Sequence, residues 1–456
     1  MFERFLFSKV ETWIVLILVI AGLVASLLFA GAVRHYHLGG DTLGKLGPVV
    51  ESLAALPANV KYIVLGRGGK TDLVAAEQRF HDQSGFSFNY AAGSRPKSGY
   101  ILVNRYDGDA EHSVAELWDL NSQERVHTWS FAGVDEVWKQ STLESSVVKN
   151  WRVDAAEKRF RNAHSMLTQE GDVFSQSHKS PIVKADTCSS LSLFKDDSIY
   201  HHSIERDHGG NFWVAKHIEP KSVAIGSDNF FDDGIVLISP RGEVLFEKSV
   251  IALLDENNLG HLIYGKGLGN DDPIHLNDIE PVLADGRYWK RGDVFLSLRH
   301  QSMILHYRPS TNKVIWYKQG PWIHQHDVNV LNDYQISIFD NNARLQGERD
   351  WKVYGVNNIV VYDFDTDEAR SPWQIGFEKL DIRTRTEGRG FVFDNEVIVE
   401  ETNYGRLIQF SSNGSVSWQF INRAKDGIIY LLSWSRPISR ELGDLVRASL
   451  YQRSCP

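Results

Sequence analysis

Residues 275–280 read HLNDIE, and the recurrence of this phrase along the chain is the strongest indication of the fold. Each copy is a histidine followed within a few residues by a hydrophobic strand, and others begin at His164, His202 and His326. The copies are roughly 40–75 residues apart, and strand-and-turn repeats of that period are typical of solenoids and β-propellers. A closed repeat would gather its histidines around one axis. The repeat therefore predicts a polar site built from residues that are far apart in the sequence.

A second pattern accompanies the histidine strands. Pairs of strands recur in which the second strand opens on Gly or Asn and ends in an aromatic residue, at residues 235–246, 303–316 and 407–418. We interpret these pairs as the outer hairpins of propeller blades. Residues 428–434 are expected to complete the first blade and to close the ring, which removes exposed sheet edges. The predicted fold class is all-β, a six-bladed β-propeller, with blades near residues 96–135, 160–195, 200–250, 275–320, 326–375 and 388–421.

Composition and charge exclude some classes of function. The chain has 456 residues, with 13 Trp and 36 Gly, which suits an aromatic-rich β-protein with many turns. Its net charge of −9 disfavours nucleic acid as a partner, because nucleic-acid binding requires a basic face. Two cysteines without paired Cys/His spacing do not make a zinc-ligand set. We therefore predict no metal, no cofactor and no nucleic acid.

The N-terminus carries the membrane signal. Residues 13–33 are uncharged and predominantly apolar, and about 20 such residues span a bilayer core. The run is longer than the apolar region of a cleaved signal peptide, although small residues near Ala25 and Ala30 keep cleavage open. We predict a cytoplasmic tip and transmembrane anchor over residues 1–33, a juxtamembrane stem over 34–95 and a propeller domain over 96–456.

The two cysteines leave two interpretations open. Cys455 is the penultimate residue and Cys188 precedes the second recurring histidine, so a disulfide could join the chain end to an early blade. A bond across so long a loop would stabilise the fold by about 4–5 kcal/mol in the entropic model, and such bonds persist in oxidising compartments. Two unrelated buried thiols are the alternative.

The recurring histidines differ in their support. Asn277 lies two residues after His275 and shares its strand face, and Arg299 ends the next strand of that blade. With His326, these side chains form a candidate pocket for an oxyanion such as sulfate or phosphate, because arginine offers a planar fork of donors and imidazole donates or accepts. His202 is the third histidine of the candidate site. Reuse of one polar residue to hold loops between blades is the structural alternative.

Other histidines fall outside the predicted catalytic set. His164 lacks a supporting motif. His201 and His300 are direct neighbours of candidates and should point to the opposite strand face, and His324 follows Pro321 in a stretch that reads equally as a loop. All three of these neighbours are expected to pack around the site or to support it from outside. A neutral imidazole in the site could serve as nucleophile or general base.

At these residues the sequence resembles the arylsulfotransferase group, six-bladed propellers of the bacterial periplasm. The resemblance rests on His201-His202, His275-Leu-Asn277, residues 297–302 (SLRHQS), Gln325-His326-Asp327 and residues 339–341 (FDN). It covers roughly residues 96–440. It implies sulfuryl transfer from an aryl sulfate to a phenolic acceptor, independent of nucleotide sulfate, through a sulfohistidine intermediate. Small-molecule aryl sulfates and phenols are thus the expected partners, and the predicted location is the inner membrane, single-pass, with the propeller facing the periplasm.

The resemblance also implies roles for single residues. His326 would take the sulfuryl group as nucleophile. His275, Asn277 and Arg299 would bind and polarise its oxygens, and His202, or its neighbour His201, would be an acid/base or oxygen-binding partner.

The chain departs from well-characterised members in one clear respect, since an anchor and stem stand where those members carry an N-terminal β-sandwich. The spacing between Arg299 and His326 is also short, which leaves donor and acceptor open. Aromatic residues such as Trp213, Trp322 and Tyr334 would line a phenol-binding mouth or pack in the core.

Two other functions compete with the transferase: a non-catalytic, membrane-tethered propeller that binds an anionic ligand or partner, and a hydrolase or lyase that uses the same pocket.

Overall fold

The computed structural model describes residues 11–37, 42–47, 49–50, 52–54, 56, 73–90, 99–224, 230–264, 271–346, 350–452 and 455. The chain divides into two units, Met1–Thr71 and Asp72–Pro456. In the first unit, helix α1 (Thr12–His37) has a mean hydropathy of 2.9 over its apolar window and exposes its side chains. Its length and composition suit a membrane anchor or a signal sequence.

Strands dominate the second unit. In chain order they are β1 (Gly85–Phe88), β2 (Tyr100–Asp107), β3 (His112–Asp119), β4 (Glu124–Ser130), β5 (Ala163–Leu167), β6 (Val173–Gln176), β7 (Ser180–Ala185), β8 (Leu191–Arg206), β9 (Phe212–His217), β10 (Asp233–Ile238), β11 (Val244–Ser249), β12 (Leu276–Pro281), β13 (Val294–Leu298), β14 (Met303–Arg308), β15 (Lys313–Gln319), β16 (His326–Val330), β17 (Gln335–Asp340), β18 (Ala343–Gln346), β19 (Asp350–Val353), β20 (Asn358–Asp363), β21 (Glu368–Arg370), β22 (Arg389–Phe393), β23 (Glu396–Glu401), β24 (Arg406–Ser411), β25 (Val416–Ile421) and β26 (Arg436–Ile438).

Short helices connect some of these strands, and a longer one follows the last. They are α2 (Val134–Trp138), α3 (Trp151–Asp154), α4 (Val250–Glu256), α5 (His261–Tyr264), α6 (Gln374–Lys379) and α7 (Arg440–Gln452).

The sheets form a propeller-like, all-β arrangement. Three of them are four-stranded antiparallel meanders, in the orders β12-β13-β14-β15, β16-β17-β20-β21 and β26-β2-β3-β4. A fourth has the order β1-β25-β24-β23-β22, so that the N-terminal strand β1 adds an outer edge. The first strands of successive blade-like groups of strands contact one another: β5 contacts β8, β8 contacts β12, β12 contacts β16, and β16 contacts β22. These contacts bring the inner strands together.

The number of separate sheets corrects the sequence prediction. In the part of the chain that the structure describes, four blade-like sheets are separate, and the rest of the blade strands form one seven-stranded sheet from β5 to β11. Its continuity comes from β8, which is 16 residues long and pairs with β7 up to Tyr200 and with β9 beyond it. Six separate blades are therefore not present, because one strand runs from one four-stranded unit into the next.

The ring also closes at a different segment from the one expected. Strand β26 pairs with β2, whereas residues 428–434 supply only isolated bridges, from Ile429 to Arg423, from Tyr430 to Val74 and from Leu432 to Arg105 of β2. Cys188 and Cys455 form a disulfide with a Cα–Cα distance of 5.4 Å, which ties the end of the chain to the loop between β7 and β8. Of the two interpretations of the cysteines, the disulfide is confirmed.

The domain limits at residues 33 and 95 remain predictions. Residues 57–72 and 91–95 of the predicted stem lie outside the described residues, and β1, inside the predicted stem, pairs with β25. Apolar faces of neighbouring sheets pack together, as where Ile101 and Val103 meet Trp418 and Phe420. This packing holds the inner strands, and thus the site, in place.

Candidate functional site

The recurring histidines share an unusual backbone conformation. His164, His202 and His275 have φ of 49°, 53° and 51°. His164 and His202 lie within a register shift between an inner strand and its neighbour, and His275 directly precedes β12, whose register shifts between Leu276 and Asp278. In the fourth copy the positive φ (49°) falls on Asp327, and His326 itself begins β16. Non-glycine residues seldom adopt this left-handed region, and β-bulges of this kind redirect side chains. The repeat is therefore a repeated bulge, and His326 stands one residue out of step with the other three.

The tautomer of His326 follows from its hydrogen bonds. Its Nδ1 lies 2.6 Å from Oδ1 of Asn341. Asn341 is oriented by its own Nδ2, which donates to the backbone oxygens of Thr384 and Glu387. Because Oδ1 of Asn341 can only accept, Nδ1 of His326 carries the proton and Nε2 presents a lone pair. Nε2 of His326 is buried and has no hydrogen-bond partner among the described residues. Burial, followed by the nearby Arg299, holds the pKa of His326 well below its usual range.

Arg299 is a buried cation without a carboxylate in hydrogen-bonding reach. Its side chain is 3% exposed, and its Nε and Nη2 lack hydrogen-bond partners among the described residues. The guanidinium lies over the ring of Trp351 at 4.3 Å. Burial lowers its pKa to about 10, so that it remains charged at neutral pH. A desolvated guanidinium with free donors is a strong anion-binding group.

His275 and Asn277 flank the same space. Nδ1 of His275 lies 2.5 Å from Oδ2 of Asp272, and the side chain is 22% exposed, which opens the cluster to solvent on this side. Burial acts to raise the pKa of Asp272, but the neighbouring His275 lowers it below its ordinary value. Asn277 donates one amide hydrogen to the backbone oxygen of Gln325, the residue before His326. The Arg299 amide donates to the backbone oxygen of His275, which ties these strands together.

His202 joins the cluster through its ring contacts. Its centroid lies 5.1 Å from that of His275 and 5.0 Å from that of His178. Burial, followed by the neighbouring histidines, holds the pKa of His202 well below its usual range. The expectation that His201 points to the opposite face is wrong: the bulge turns the ring of His202 so that the two Nδ1 atoms are 2.8 Å apart. His201 continues to Asp233, with Nε2 at 3.4 Å from Oδ1.

His300 and His324 lie beside the cluster. The His300 ring is 4.4 Å from that of His275, and its Nδ1 bonds to the backbone oxygen of Asp272. His324 bonds through Nδ1 to the backbone oxygen of Ala343 and lies 4.6 Å from the ring of Trp351. Both are thus held by backbone carbonyls. Burial lowers the pKa of both, to about 4 for His300.

His164 belongs to a different environment. Its Nδ1 is 3.7 Å from Glu205, and its ring packs against Trp434 at 4.6 Å. Glu205 also pairs with Arg389 and with Arg436, at 2.9 Å each. Burial lowers the pKa of His164 to about 3, so it is neutral. The structure therefore brings together His202, His275, Asn277, Arg299 and His326 and leaves His164 in a network of buried ion pairs.

Sequence reasoning missed three side chains at this site. Trp351 and Trp434 contact Arg299 and His202, and Asp272 bonds His275. Trp351 lies on the β18–β19 hairpin, an insertion that follows none of the repeated patterns. Asp272 precedes His275 by three residues, and this carboxylate was the one available signal.

The aromatic residues predicted for a phenol-binding mouth lie elsewhere. Trp213 and Trp322 are buried in the core between sheets. Tyr334 lies beneath the guanidinium of Arg287, with 4.2 Å between them. The core alternative is therefore the correct one for the two tryptophans.

Two groups of described residues have the composition of metal ligands: His201, His217 and Asp233, and also Asp272, His275 and His300. In the first group the two imidazoles are stacked, with planes 27° apart, so their lone pairs run side by side instead of converging. In the second group a 2.5 Å hydrogen bond joins His275 to Asp272 and leaves no room for an ion between the two atoms. Metal ligands require convergent lone pairs at about 2.0–2.2 Å from the ion. Hydrogen bonding accounts for the second group; in the first group His217 bonds Asp233, whereas Nε2 of His201 has no hydrogen-bond partner among the described residues.

Surface pockets lie away from the cluster. One of about 570 Å³ is lined by Trp118, Arg125 and Arg447, and another of about 750 Å³ by Leu331, Trp373 and neighbours. Their lining residues include none of the histidines of the cluster. Among the described residues, the bare Nε2 of His326 lies beside the Arg299 guanidinium only in the cluster, so we take the cluster, and not these pockets, as the candidate site.

Comparison with known proteins bears on this cluster directly. The family model described as arylsulfotransferase (ASST) matches residues 176–423, a little more than half of the chain. No curated protein matches the chain.

Several solved structures share a distant likeness. A protein of unknown function from Bacteroides caccae is 11% identical, with a TM-score of 0.43, and the match covers 74% of this chain and 98% of that one. Virginiamycin B lyase from Staphylococcus aureus is 10% identical, with a TM-score of 0.36, and the match covers 76% and 99%. At these TM-scores the likenesses carry no argument about the function of this chain.

Proposed function

Because the chain belongs to the arylsulfotransferase family, we propose that it transfers a sulfuryl group from an aryl sulfate to a phenolic acceptor through a sulfohistidine at His326. Nucleotide sulfate takes no part in this reaction. Membership of the family supports sulfotransfer in general, and the local chemistry of the cluster supports this particular route.

One observation carries the proposal: Nε2 of His326 is a buried, unpartnered lone pair, set by the hydrogen bond from Nδ1 to Asn341. Other buried histidines, among them His164 and His306, also carry a nitrogen without a hydrogen-bond partner, so what distinguishes His326 is the guanidinium of Arg299 beside it. The cationic Arg299 lies close enough to depress the pKa of His326, which keeps the imidazole neutral and nucleophilic.

The proposed reaction has two half-reactions. Nε2 of His326 attacks the sulfur of the aryl sulfate, the S–O bond to the aromatic ring breaks, and a phenolate leaves. A second phenol then attacks the sulfur, the S–N bond breaks, and its electron pair returns to Nε2. Arg299, His275 and Asn277 bind the three sulfuryl oxygens, and His202 handles the proton of the phenol. Each such donor aimed at developing charge contributes about 10²–10³-fold in rate.

The finer architecture is also a proposal. If the seven-stranded sheet counts as two blades that share β8, the second unit has six blades. We propose that residues 96–456 form this catalytic propeller, that residues 34–95 connect it to the anchor, and that small aryl sulfates and phenols are the partners.

We further propose an inner-membrane, single-pass protein whose propeller faces the periplasm. The apolar helix α1 supports the anchor, and the Cys188–Cys455 disulfide supports an oxidising compartment. The test compares the full chain with a variant lacking residues 1–33, by membrane fractionation and by protease accessibility in spheroplasts. A soluble full-length chain, or one protected from external protease, contradicts the topology.

The decisive experiment for the activity traps the intermediate. The purified full chain is exposed briefly to 4-nitrophenyl sulfate, quenched under alkaline conditions and mapped by mass spectrometry for an 80 Da addition (about one SO3) on histidine. We expect the addition on His326, its absence in His326→Ala, and its retention in His164→Ala, a buried histidine of the same repeat. Absence of the addition in the native chain, together with unchanged anion binding by His326→Ala, favours the non-catalytic propeller. Release of sulfate without any phenolic acceptor favours a hydrolase.

A further inference from the structure

His201 and His202 form a direct hydrogen bond that an ordinary strand would forbid. Neighbours on a strand point to opposite faces, but φ of 53° at His202 turns its ring beside that of His201, with 2.8 Å between the Nδ1 atoms. Two imidazole nitrogens at this distance share one proton. Which of the two carries it decides whether Nε2 of His202 is a donor or a lone pair.

Asp233 decides the position of that proton. It is 2% exposed and accepts hydrogen bonds from Nδ1 of His217 at 3.1 Å and from the backbone amide of Leu276 at 2.8 Å. Burial acts to raise its pKa, but the adjacent His201 and His217 hold the pKa well below the ordinary value, so the carboxylate is ionised.

The carboxylate of Asp233 fixes the tautomer of His201, which in turn fixes the tautomer of His202. Oδ1 of Asp233 lies 3.4 Å from Nε2 of His201, and its charge favours the proton on that nitrogen. Nδ1 of His201 is then the acceptor, Nδ1 of His202 the donor, and Nε2 of His202 a lone pair. The same logic, in which a buried carboxylate fixes the tautomer of a histidine, operates in the Ser-His-Asp triad.

We infer that Asp233 and His201 are positioning residues that hold His202 as the proton acceptor of the transfer reaction. The inference rests on the proposed function. As the phenol oxygen bonds to sulfur, its proton passes to Nε2 of His202, the S–N bond to His326 breaks, and the electron pair of that bond returns to Nε2 of His326. The imidazolium of His202 is stabilised through His201 by the negative charge of Asp233 and then releases the proton to solvent or to a leaving phenolate.

The charges around this relay explain why it needs a carboxylate. His202 faces His178, His275 and His326, and His201 faces His217. Lys179 and Arg161 add positive potential at His178, and Lys179 does so at His217. Within this group Asp233 is the anion that contacts the relay, while Asp272 bonds His275. Without Asp233, the imidazolium of His202 would be surrounded only by neutral or positively charged groups.

The test separates the two half-reactions in single-turnover experiments on the full chain. With 4-nitrophenyl sulfate the leaving phenolate needs no proton, so the burst of nitrophenolate reports loading of His326 alone. Transfer from the loaded enzyme to unsubstituted phenol requires removal of a proton. We expect Asp233→Asn and His201→Phe, whose ring keeps the stacking on His217, to retain the burst within a few-fold. Transfer to phenol should fall about 10²-fold, in the range of general base catalysis.

The pH profile distinguishes a positioning role from a structural one. Transfer by both variants should recover with rising pH, because phenolate then replaces phenol as the acceptor, whereas the native profile is flatter. Asp293→Asn is the matched control: Asp293 is equally buried, directly precedes β13, and bonds His306 of β14 at 2.8 Å and Arg308. It should leave the burst, the transfer and the pH profile unchanged.

Each outcome decides the inference. Equal losses of burst and transfer, or a pH profile the same as that of the native enzyme, overturns it. So does a stoichiometric divalent metal in the native protein that is lost in Asp233→Asn, because a metal would occupy Nε2 of His201. A native chain with no burst and no modified histidine contradicts the proposed function itself, whereas a normal native burst with unaffected variants contradicts only the relay.

Discussion

Arg299 and Arg389 are both buried guanidinium groups near the centre of the propeller-like unit, but they have opposite surroundings. Arg389 is 4% exposed, and it bonds Asp327 through Nε at 2.7 Å and Glu205 through Nη2 at 2.9 Å. Arg299 is 3% exposed, and its guanidinium lies over the ring of Trp351. Among the described residues, no carboxylate is hydrogen-bonded to it. Carboxylates raise the pKa of Arg389 despite its burial, whereas burial lowers the pKa of Arg299 to about 10.

This difference separates a structural cation from one that is ready to bind an anion. Burial of a charge is costly unless it is paired, so the partners of Arg389 are part of the fold. Among the described residues no carboxylate is hydrogen-bonded to Arg299, and Asp272 and Glu387 act on it only through space. In the proposed reaction, a bound sulfuryl group would supply the anion that Arg299 lacks.

The largest effect is expected on stability from Arg389→Met. The substitution leaves Asp327 and Glu205 buried with one cation fewer, and removal of one member of a buried pair costs about 3–5 kcal/mol. Urea unfolding of the native chain and the variant measures it. The matched variant Arg299→Met should cost little or stabilise the fold, and equal losses from the two substitutions would contradict the contrast.

Next, Arg299→Met should reduce kcat/KM for transfer by about 10²–10³-fold, the effect of losing one donor to developing negative charge. Arg299→Lys keeps the charge but loses the planar fork, and should recover only part of the activity. Steady-state kinetics with 4-nitrophenyl sulfate and a phenol provide the measurement. Full activity of Arg299→Met would refute the role of this residue.

Removal of the disulfide should act on stability and not on chemistry. The bond joins residues 267 positions apart, and loss of such a link costs about 2–5 kcal/mol. Cys188→Ser with Cys455→Ser should lower the midpoint of urea unfolding, as dithiothreitol should in the native chain, while activity of the folded fraction is retained. An unchanged midpoint would show that the end of the chain is held by its other contacts.

A smaller effect is expected from Trp351→Ala. The ring lies 4.3 Å from the Arg299 guanidinium, and a desolvated cation–π contact contributes about 2 kcal/mol or less. KM for the aryl sulfate should rise about tenfold, with a smaller change in kcat. Trp351→Phe keeps an aromatic face, so its KM for the aryl sulfate should lie between that of the native chain and that of Trp351→Ala. A loss confined to kcat would indicate that Trp351 acts on the chemical step.

The last prediction concerns the dependence of stability on pH. Burial, followed by the adjacent Asp327, raises the pKa of Asp278 to about 8. The native protein therefore holds a proton there that the unfolded chain loses near pH 4, so the contribution of Asp278 to stability is complete below about pH 4 and is lost as pH rises towards 8. Asp278→Asn should flatten this decline between pH 5 and pH 8 in urea unfolding. An equally steep decline in the variant would contradict it.

Most residues of the candidate site could be predicted from the sequence, because they lie in recognisable motifs. His275, Asn277, Arg299 and His326 were all selected from the pattern, and they lie together in the structure. Their roles in catalysis stay predictions until the intermediate is trapped. His201 was misjudged, because strand alternation was assumed across a position where φ is positive, and a bulge has no sequence signature in a histidine.

The number of blades shows the same limit at a larger scale. The repeated histidine marks where each unit begins, but whether two units stay separate depends on whether a strand is interrupted. The middle of β8, residues 195–198 (KDDS), is made of residue types that strands disfavour, but the backbone runs on through it and the two sheets are one. Pairing with β7 and β9 therefore overrides the local propensity that would have indicated an interruption.

By itself the sequence determined the all-β repeat, the apolar N-terminal helix, the family and the residue types of the candidate site. Three properties were decided by tertiary structure alone. They are which nitrogen of His326 has no hydrogen-bond partner among the described residues, which buried arginine forms ion pairs with carboxylates, and which histidine contacts Asp233. The reason is physical: the state of a buried side chain is set by its partners, and these come from strands that the chain order leaves far apart. Trp351 and Asp233 reach the site only when the sheets have assembled, whereas Asn341 follows β17, the hairpin partner of the strand that begins with His326.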